Sequence, residues 1–146
     1  MNDLKNLYQE VILDHSKHPR HFHALEPCDH SATGHNPLCG DNLKVYVRMD
    51  GERLADISFV GDGCAISKAS ASLMTDLARG KTLAEFAHLY HDFHHIATTQ
   101  DPIPDSVGKL KVLAGVREYP SRVKCATLAW HTLDAALHGK NEAKTE

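Results

Sequence analysis

The strongest constraint on this chain lies between Asn42 and Val60. Leu43, Val45 and Val47 alternate there with Lys44, Tyr46 and Arg48, the period of a half-buried strand. Asp50-Gly51 follows, a pair that favours a tight hairpin turn, and Leu54 to Val60 returns as a second strand. Gly61-Asp62-Gly63 is expected to break that strand and leads directly into Cys64. From Ala65 to Arg79 the residues turn to helix formers. Ile66, Ala69, Leu73 and Leu77 mark one face, and Gly80 suits the position just past a helix end. An antiparallel hairpin running into a helix places the chain in the α+β class.

The remaining segments fit that class. Leu4, Leu7, Tyr8, Val11 and Ile12 stand at helical spacing within Leu4 to His15, and Pro19 closes the segment. Residues 20–37 are rich in His, Pro, Gly and Asn and read as loop, with Ser31 to Gly34 the candidate for a short edge strand. A second helix is predicted from Leu83 through the early nineties, and a loop over Thr98 to Pro104. Asp105 is placed to cap a short helix through Leu113. A last helix spans Pro120 to His138, with Val123, Ala126, Trp130, Leu133 and Leu137 inward and Gly139 ending it; the tail from Lys140 to Glu146 is expected to fray. No repeat and no linker interrupts the chain. Residues 1–146 therefore read as one domain, a small antiparallel sheet packed against several helices, long enough to bury a core without disulfides.

Sixteen basic residues stand against 19 acidic ones, a net charge of −3. That balance argues against a nucleic-acid binder, which needs a basic surplus for phosphate contacts. No apolar run reaches the length of a membrane span, and the opening MNDLKNLYQEVILDH is too charged for a secretory core. A cytoplasmic location is expected. In a reducing compartment the four cysteines point to thiol or metal chemistry before disulfides. Of the 12 histidines, His91, His94 and His95 share one helix face at spacings that catch stray divalent metals; adventitious binding is all that is expected of them.

Cys39-Gly40-Asp41 puts two ligand-type side chains at positions i and i+2, which point the same way from an extended backbone. Cys64 opens a helix, where the exposed N–H groups stabilise a thiolate. Cys125 falls in the early turns of the last helix just after Arg122 and Lys124, whose charges act in the same direction. The alternative is that Cys64 and Cys125 are small core hydrophobes. If all four groups meet, they make a Cys₃Asp set. A hard oxygen beside three soft sulfurs suits a site that loads and unloads better than one closed for good.

The runs GHNPLCGDNLKVYV, ISFVGDGCAISKASASLM and RVKCATLAW resemble the three signature blocks of the IscU/NifU-type iron–sulfur assembly family, and LYQEVILDHSKHPRHF resembles its N-terminal segment. Three departures from the IscU pattern resemble the SufU branch. Lys124 stands where IscU has a histidine, EYPSRVK replaces the chaperone-recognition motif, and the spacer between Cys64 and Cys125 is longer. The resemblance implies a SufE/NifU-like α+β fold and a zinc ion held by Cys39, Asp41, Cys64 and Cys125. It also implies a SufS-type cysteine desulfurase as partner. A desulfurase histidine would take over one zinc position, freeing Cys39 to accept persulfide sulfur for a downstream SUF cluster-assembly scaffold. Two other readings stay open: an IscU-like scaffold building a transient iron–sulfur cluster on the same ligands, and a non-catalytic structural zinc module. Cys28 matches no block and reads as a bystander.

Overall fold

The computed structural model describes residues 2–37, 40–103 and 105–144. Four strands, β1 (His30–Asn36), β2 (Asp41–Asp50), β3 (Arg53–Asp62) and β4 (Glu142–Lys144), form a sheet ordered β3-β2-β1-β4. The alternation in the hairpin produces its buried face: Leu43, Val45 and Val47 are wholly buried beside Leu54, Ile57 and Phe59 of β3. Tyr46, on the opposite face, is also buried, with the Lys44 ammonium 5.1 Å from its ring centroid. A lysine two residues away on the same face covers the ring with its stem while its charge stays in water.

The helices are α1 (Asn2–Lys17), α2 (Ala65–Ala78), α3 (Leu83–Thr98) and α4 (Pro120–Leu137), with a 3₁₀ segment over Asp105–Glu118. No helix among the described residues is long and apolar enough to cross a membrane. α3 outruns the predicted end in the early nineties because Phe93, Ile96 and Ala97 continue its buried stripe. A Thr82–Glu85 capping box fixes its start. The short helix expected from Asp105 is instead a kinked 3₁₀ stretch, broken at Gly108, whose φ of 57° lies outside helical space.

Trp130 of α4 sits at the centre of the core, stacked on Phe93 with ring centroids 4.4 Å apart and on Phe86 at 6.2 Å. Its indole N–H donates to Ser70 Oγ at 3.0 Å, and that hydroxyl donates to the Ala126 carbonyl, so α2 and α4 are linked by a polar bond inside the core. α4 also lies hard against β1. A Cβ on Gly34 would fall 2.0 Å from Thr132 Oγ1.

Three sequence expectations about strands change. β1 is an interior strand rather than an edge, because residues 142–144, expected to fray, pair with it in parallel register from Thr33↔Glu142 to His35↔Lys144. Gly139, at φ 75°, reverses the chain after α4, and the Lys140 N–H closes on the Ala135 carbonyl at 2.9 Å. The sheet is thus mixed: three antiparallel strands and one short parallel one. Finally, Gly61 does not end β3. A Cβ there would meet the Asn42 carbonyl oxygen at 2.2 Å, so its lack of a side chain lets β3 stay against β2 as far as Asp62.

Candidate metal centre

The two hairpin registers bring the candidate side chains to one end of the sheet. Asn36, the last residue of β1, pairs with Asp41, the first of β2. β3 ends at Asp62 opposite Asn42, which returns the chain to the side of Asp41 two residues before Cys64. Cys64 is the N-cap of α2, and its sulfur accepts the Ser67 N–H at 3.4 Å. Cys125, in the second turn of α4, is fully buried.

Ligand atoms of Asp41, Cys64 and Cys125 all lie within 4.8 Å of one another. Zn–S bonds of about 2.3 Å and Zn–O bonds of about 2.1 Å put donors around one tetrahedral ion roughly 3.5–3.8 Å apart. A small contraction of this triangle accommodates such an ion, and its thiolate–carboxylate donors suit zinc, so the residues present fit the group. Cys39 lies outside the described residues. The sequence places it two positions before Asp41. Cys28 is half-buried ahead of β1 and is not a member of the triangle.

The carboxylate is held before any ion arrives. Asp41 is buried, its Oδ1 accepts the Cys64 N–H at 2.9 Å, and its Oδ2 faces Asn36 Nδ2 at 3.5 Å. Gly63 makes the first contact possible, since a Cβ there would stand 2.9 Å from Asp41 Oδ1 and 3.1 Å from Ser67 Oγ. Asn36 Nδ2 also lies 3.6 Å from Cys125 Sγ. Asn36 escaped the sequence reading. Its only sequence signal is an amide next to Pro37 at the end of a strand segment, where asparagine is disfavoured and wants a polar reason to be.

Arg122 supplies the positive side of the site. Its guanidinium holds its proton more tightly than usual, first through the charge of Cys64 and then through a hydrogen bond to Cys125. Of the two cations expected near the thiols, Arg122 is thus the one that meets both of them. It also lines a cleft of about 550 Å³ with Ile12, Ile66, Val112, Val116 and Tyr119, so this largely apolar hollow shares Arg122 with the thiols.

The histidine face of α3 is dispersed. His95 pairs with Asp101 at 2.8 Å, His91 and His94 border a shallow surface hollow with Tyr90, and the His94 ring faces His131 at 5.9 Å. Among the described residues, no other three His, Cys, Asp or Glu side chains converge as Asp41, Cys64 and Cys125 do.

Comparison with known proteins covers nearly the whole chain. The family model "NifU-like N terminal domain" matches residues 7–145. The chain is 39% identical over 138 residues to the iron–sulfur cluster assembly scaffold protein IscU of Streptococcus pyogenes serotype M1, covering 94% of this chain and 86% of that one. It is 37% identical over 138 residues to the zinc-dependent sulfurtransferase SufU of Bacillus subtilis, covering 92% of each. A crystal structure from Fervidobacterium islandicum AW-1, described as a candidate iron–sulfur cluster assembly scaffold for the SUF system, superposes with a TM-score of 0.83 at 34% identity over 88% of this chain and 94% of that one.

Proposed function

The chain belongs to the NifU-like N-terminal domain family, and on that premise we propose that it is a zinc-dependent sulfur acceptor in iron–sulfur cluster assembly, drawing persulfide sulfur from a SufS-type cysteine desulfurase. The observation that carries the reading is the convergence of Asp41, Cys64 and Cys125 at the strand end reached directly from Cys39. Similarity to the Bacillus subtilis zinc-dependent sulfurtransferase over nearly the whole chain supports it. Residues 1–146 act as one unit in this role, in the cytoplasm, without nucleic acid or membrane.

Cys39, Asp41, Cys64 and Cys125 would hold the zinc. When bound, the ion supplies charge that keeps coordinated sulfurs deprotonated at neutral pH. The remaining work belongs to the chain. Cys64 and Cys125 are anchored in helix starts and stay as ligands, while Cys39, on the β1–β2 connection, is the sulfur that can leave. Its thiolate attacks the outer sulfur of the desulfurase cysteine persulfide. A new S–S bond forms on Cys39, the donor S–S bond breaks, and the donor cysteine departs as a thiolate, so charge and sulfur balance without an oxidant. Arg122 stands at the thiols with its positive charge, suited to the negative sulfur being delivered. The apolar cleft that Arg122 borders gives a protein partner a place to dock. The sulfur then passes to a downstream SUF assembly scaffold.

A second reading has a specific support: the Streptococcus pyogenes relative is named as a scaffold at similar identity. There the same four residues would carry a transient iron–sulfur cluster. Protein purified without oxygen separates the two. Tightly held zinc without colour, together with faster cysteine turnover by the desulfurase when zinc-loaded protein is added, supports sulfur transfer. A brown, labile chromophore, or equal stimulation by zinc-free protein, overturns it.

A further inference from the structure

Asn36 is fully buried, yet neither the family signature nor the ligand set gives it work. Its backbone is pinned: the residue pairs with Asp41 across the sheet, and its carbonyl accepts the Gly40 N–H at 2.9 Å. The side-chain amide therefore has little freedom. Its nitrogen lies 3.5 Å from Asp41 Oδ2 and 3.6 Å from Cys125 Sγ, so each of its two N–H bonds has one acceptor. The orientation follows from chemistry, since a flipped amide would set its oxygen against a carboxylate and a sulfur, neither of which can donate when ionised. The amide oxygen is buried and finds no donor among the described residues. An asparagine that accepts that cost is held in place by what its nitrogen does.

We propose that Asn36 is the positioning residue of this site: its amide clamps Asp41 and Cys125 at ligand spacing and, by bonding the Cys125 sulfur, keeps Cys125 a ligand and not a sulfur acceptor. The inference rests on the sulfur-transfer reading and explains its division of labour. An N–H···S bond draws electron density from the sulfur lone pair, which lowers its nucleophilicity towards a persulfide or an alkylating agent. Cys64 has an equivalent donor in the Ser67 N–H. Both anchors are thus restrained by the fold, Cys64 through a backbone amide and Cys125 through the replaceable Asn36 side chain, with Arg122 beside both sulfurs. That makes Cys125 the anchor that can be released by substitution.

The test compares the unsubstituted protein with Asn36→Ala and Asn36→Asp, the latter keeping the shape but removing the donor. With cobalt(II) in place of zinc, the sulfur-to-metal charge-transfer band should move to longer wavelength in both variants, because the sulfur lone pair rises when its hydrogen bond is lost. In zinc-loaded variants Cys125 should alkylate faster while Cys64 keeps its rate, and a chelator should strip zinc roughly 10-fold to 100-fold more readily. An unmoved band with unchanged Cys125 alkylation overturns the proposal. Should neither variant fold, as judged by circular dichroism, the unsubstituted protein loaded with ¹¹³Cd decides. Coupling of cadmium to the Cys125 β-protons and also to an Asn36 side-chain amide proton supports the clamp, and coupling to Cys125 alone overturns it. Failure of the sulfur-transfer reading shows separately, as absent stimulation of the desulfurase by unsubstituted protein with the cobalt band shift intact.

Discussion

Asp41 and Cys64 are 23 positions apart, and the Cys64 N–H donates to Asp41 Oδ1 at 2.9 Å. A strand start and a helix cap are therefore tied together by a charge-assisted bond that exists without a metal. The bond uses the helix N-terminus twice, since the same turn also presents the Ser67 N–H to the Cys64 sulfur. Under the proposed reading, a metal arriving here would meet a carboxylate already aimed, and would fasten α4 through Cys125.

Zinc removal should therefore loosen the fold without abolishing it. Free zinc at about 1,000 times its Kd would contribute about 4 kcal/mol, on the order of a 10 °C change in melting temperature for a domain of this size. Thermal unfolding of zinc-loaded and chelator-stripped protein measures the difference. Coincident melts after verified metal removal would separate the site from the stability of the fold.

The cysteines should respond unequally to truncation. Cys39→Ala leaves Asp41, Cys64 and Cys125, a three-ligand set that water can complete, so zinc content should stay near that of the parent protein while persulfide labelling disappears. Cys64→Ala and Cys125→Ala should each lose most of their zinc. Metal analysis and persulfide mapping after incubation with desulfurase and cysteine read both quantities. Persulfide accumulating on Cys125, with Cys39→Ala still active, would reverse the assignment.

Gly34→Ala should destabilise the protein by about 1–3 kcal/mol through overpacking, since the new methyl falls 2.0 Å from Thr132 Oγ1. Adding Thr132→Ala removes that oxygen and should recover part of the loss. Additive losses in a urea double-mutant cycle would mean that α4 and β1 do not meet as described.

Acid should weaken the metal-free protein through two histidines. Burial, with the neighbouring His94 charge, holds His131 below the ordinary imidazole range; burial, with Arg20, does the same for His15, whose Nδ1 meets Ser72 Oγ at 2.7 Å. A depressed folded-state pKa means that the unfolded chain takes up protons first as pH falls. Stability is then full above the ordinary imidazole value and declines below it, towards the folded-state values. Urea midpoints in chelator should drop from about pH 7.5 to about pH 5.5, and His131→Gln should shrink the drop. An identical drop in that variant would remove His131 from the account.

Much of this was legible in the residues because it is periodic. The Leu43–Val47 alternation, the Asp50-Gly51 turn and the apolar stripe of α4 each report their own structure locally. The position of Cys64 at a helix start was also readable, from the helix formers that follow it, although the strand before it runs on through Gly61 to Asp62. The pairing of residues 142–144 with β1 was not, since three residues carry no measurable period and the contact is set by the reversal at Gly139. Asn36 was missed for a related reason. Its role depends on Asp41 and on Cys125, 89 positions away, and no local pattern records such a meeting. The histidines of α3 share a face, as their spacing of three and four indicates, and the His91 and His95 rings stack at 6.5 Å.

Trp130 is the only tryptophan in the chain, and it stacks on Phe93 five residues along α4 from Cys125, bonded to Ser70 of α2. The molecule thus carries its own optical probe at the junction that a metal ion would tighten. Its emission, blue in the dry core and red once water enters, needs no label and is selected over the four tyrosines by exciting at the red edge of the indole band. Stopped-flow recordings at that wavelength would time metal capture and unfolding on one instrument, in a protein left chemically untouched.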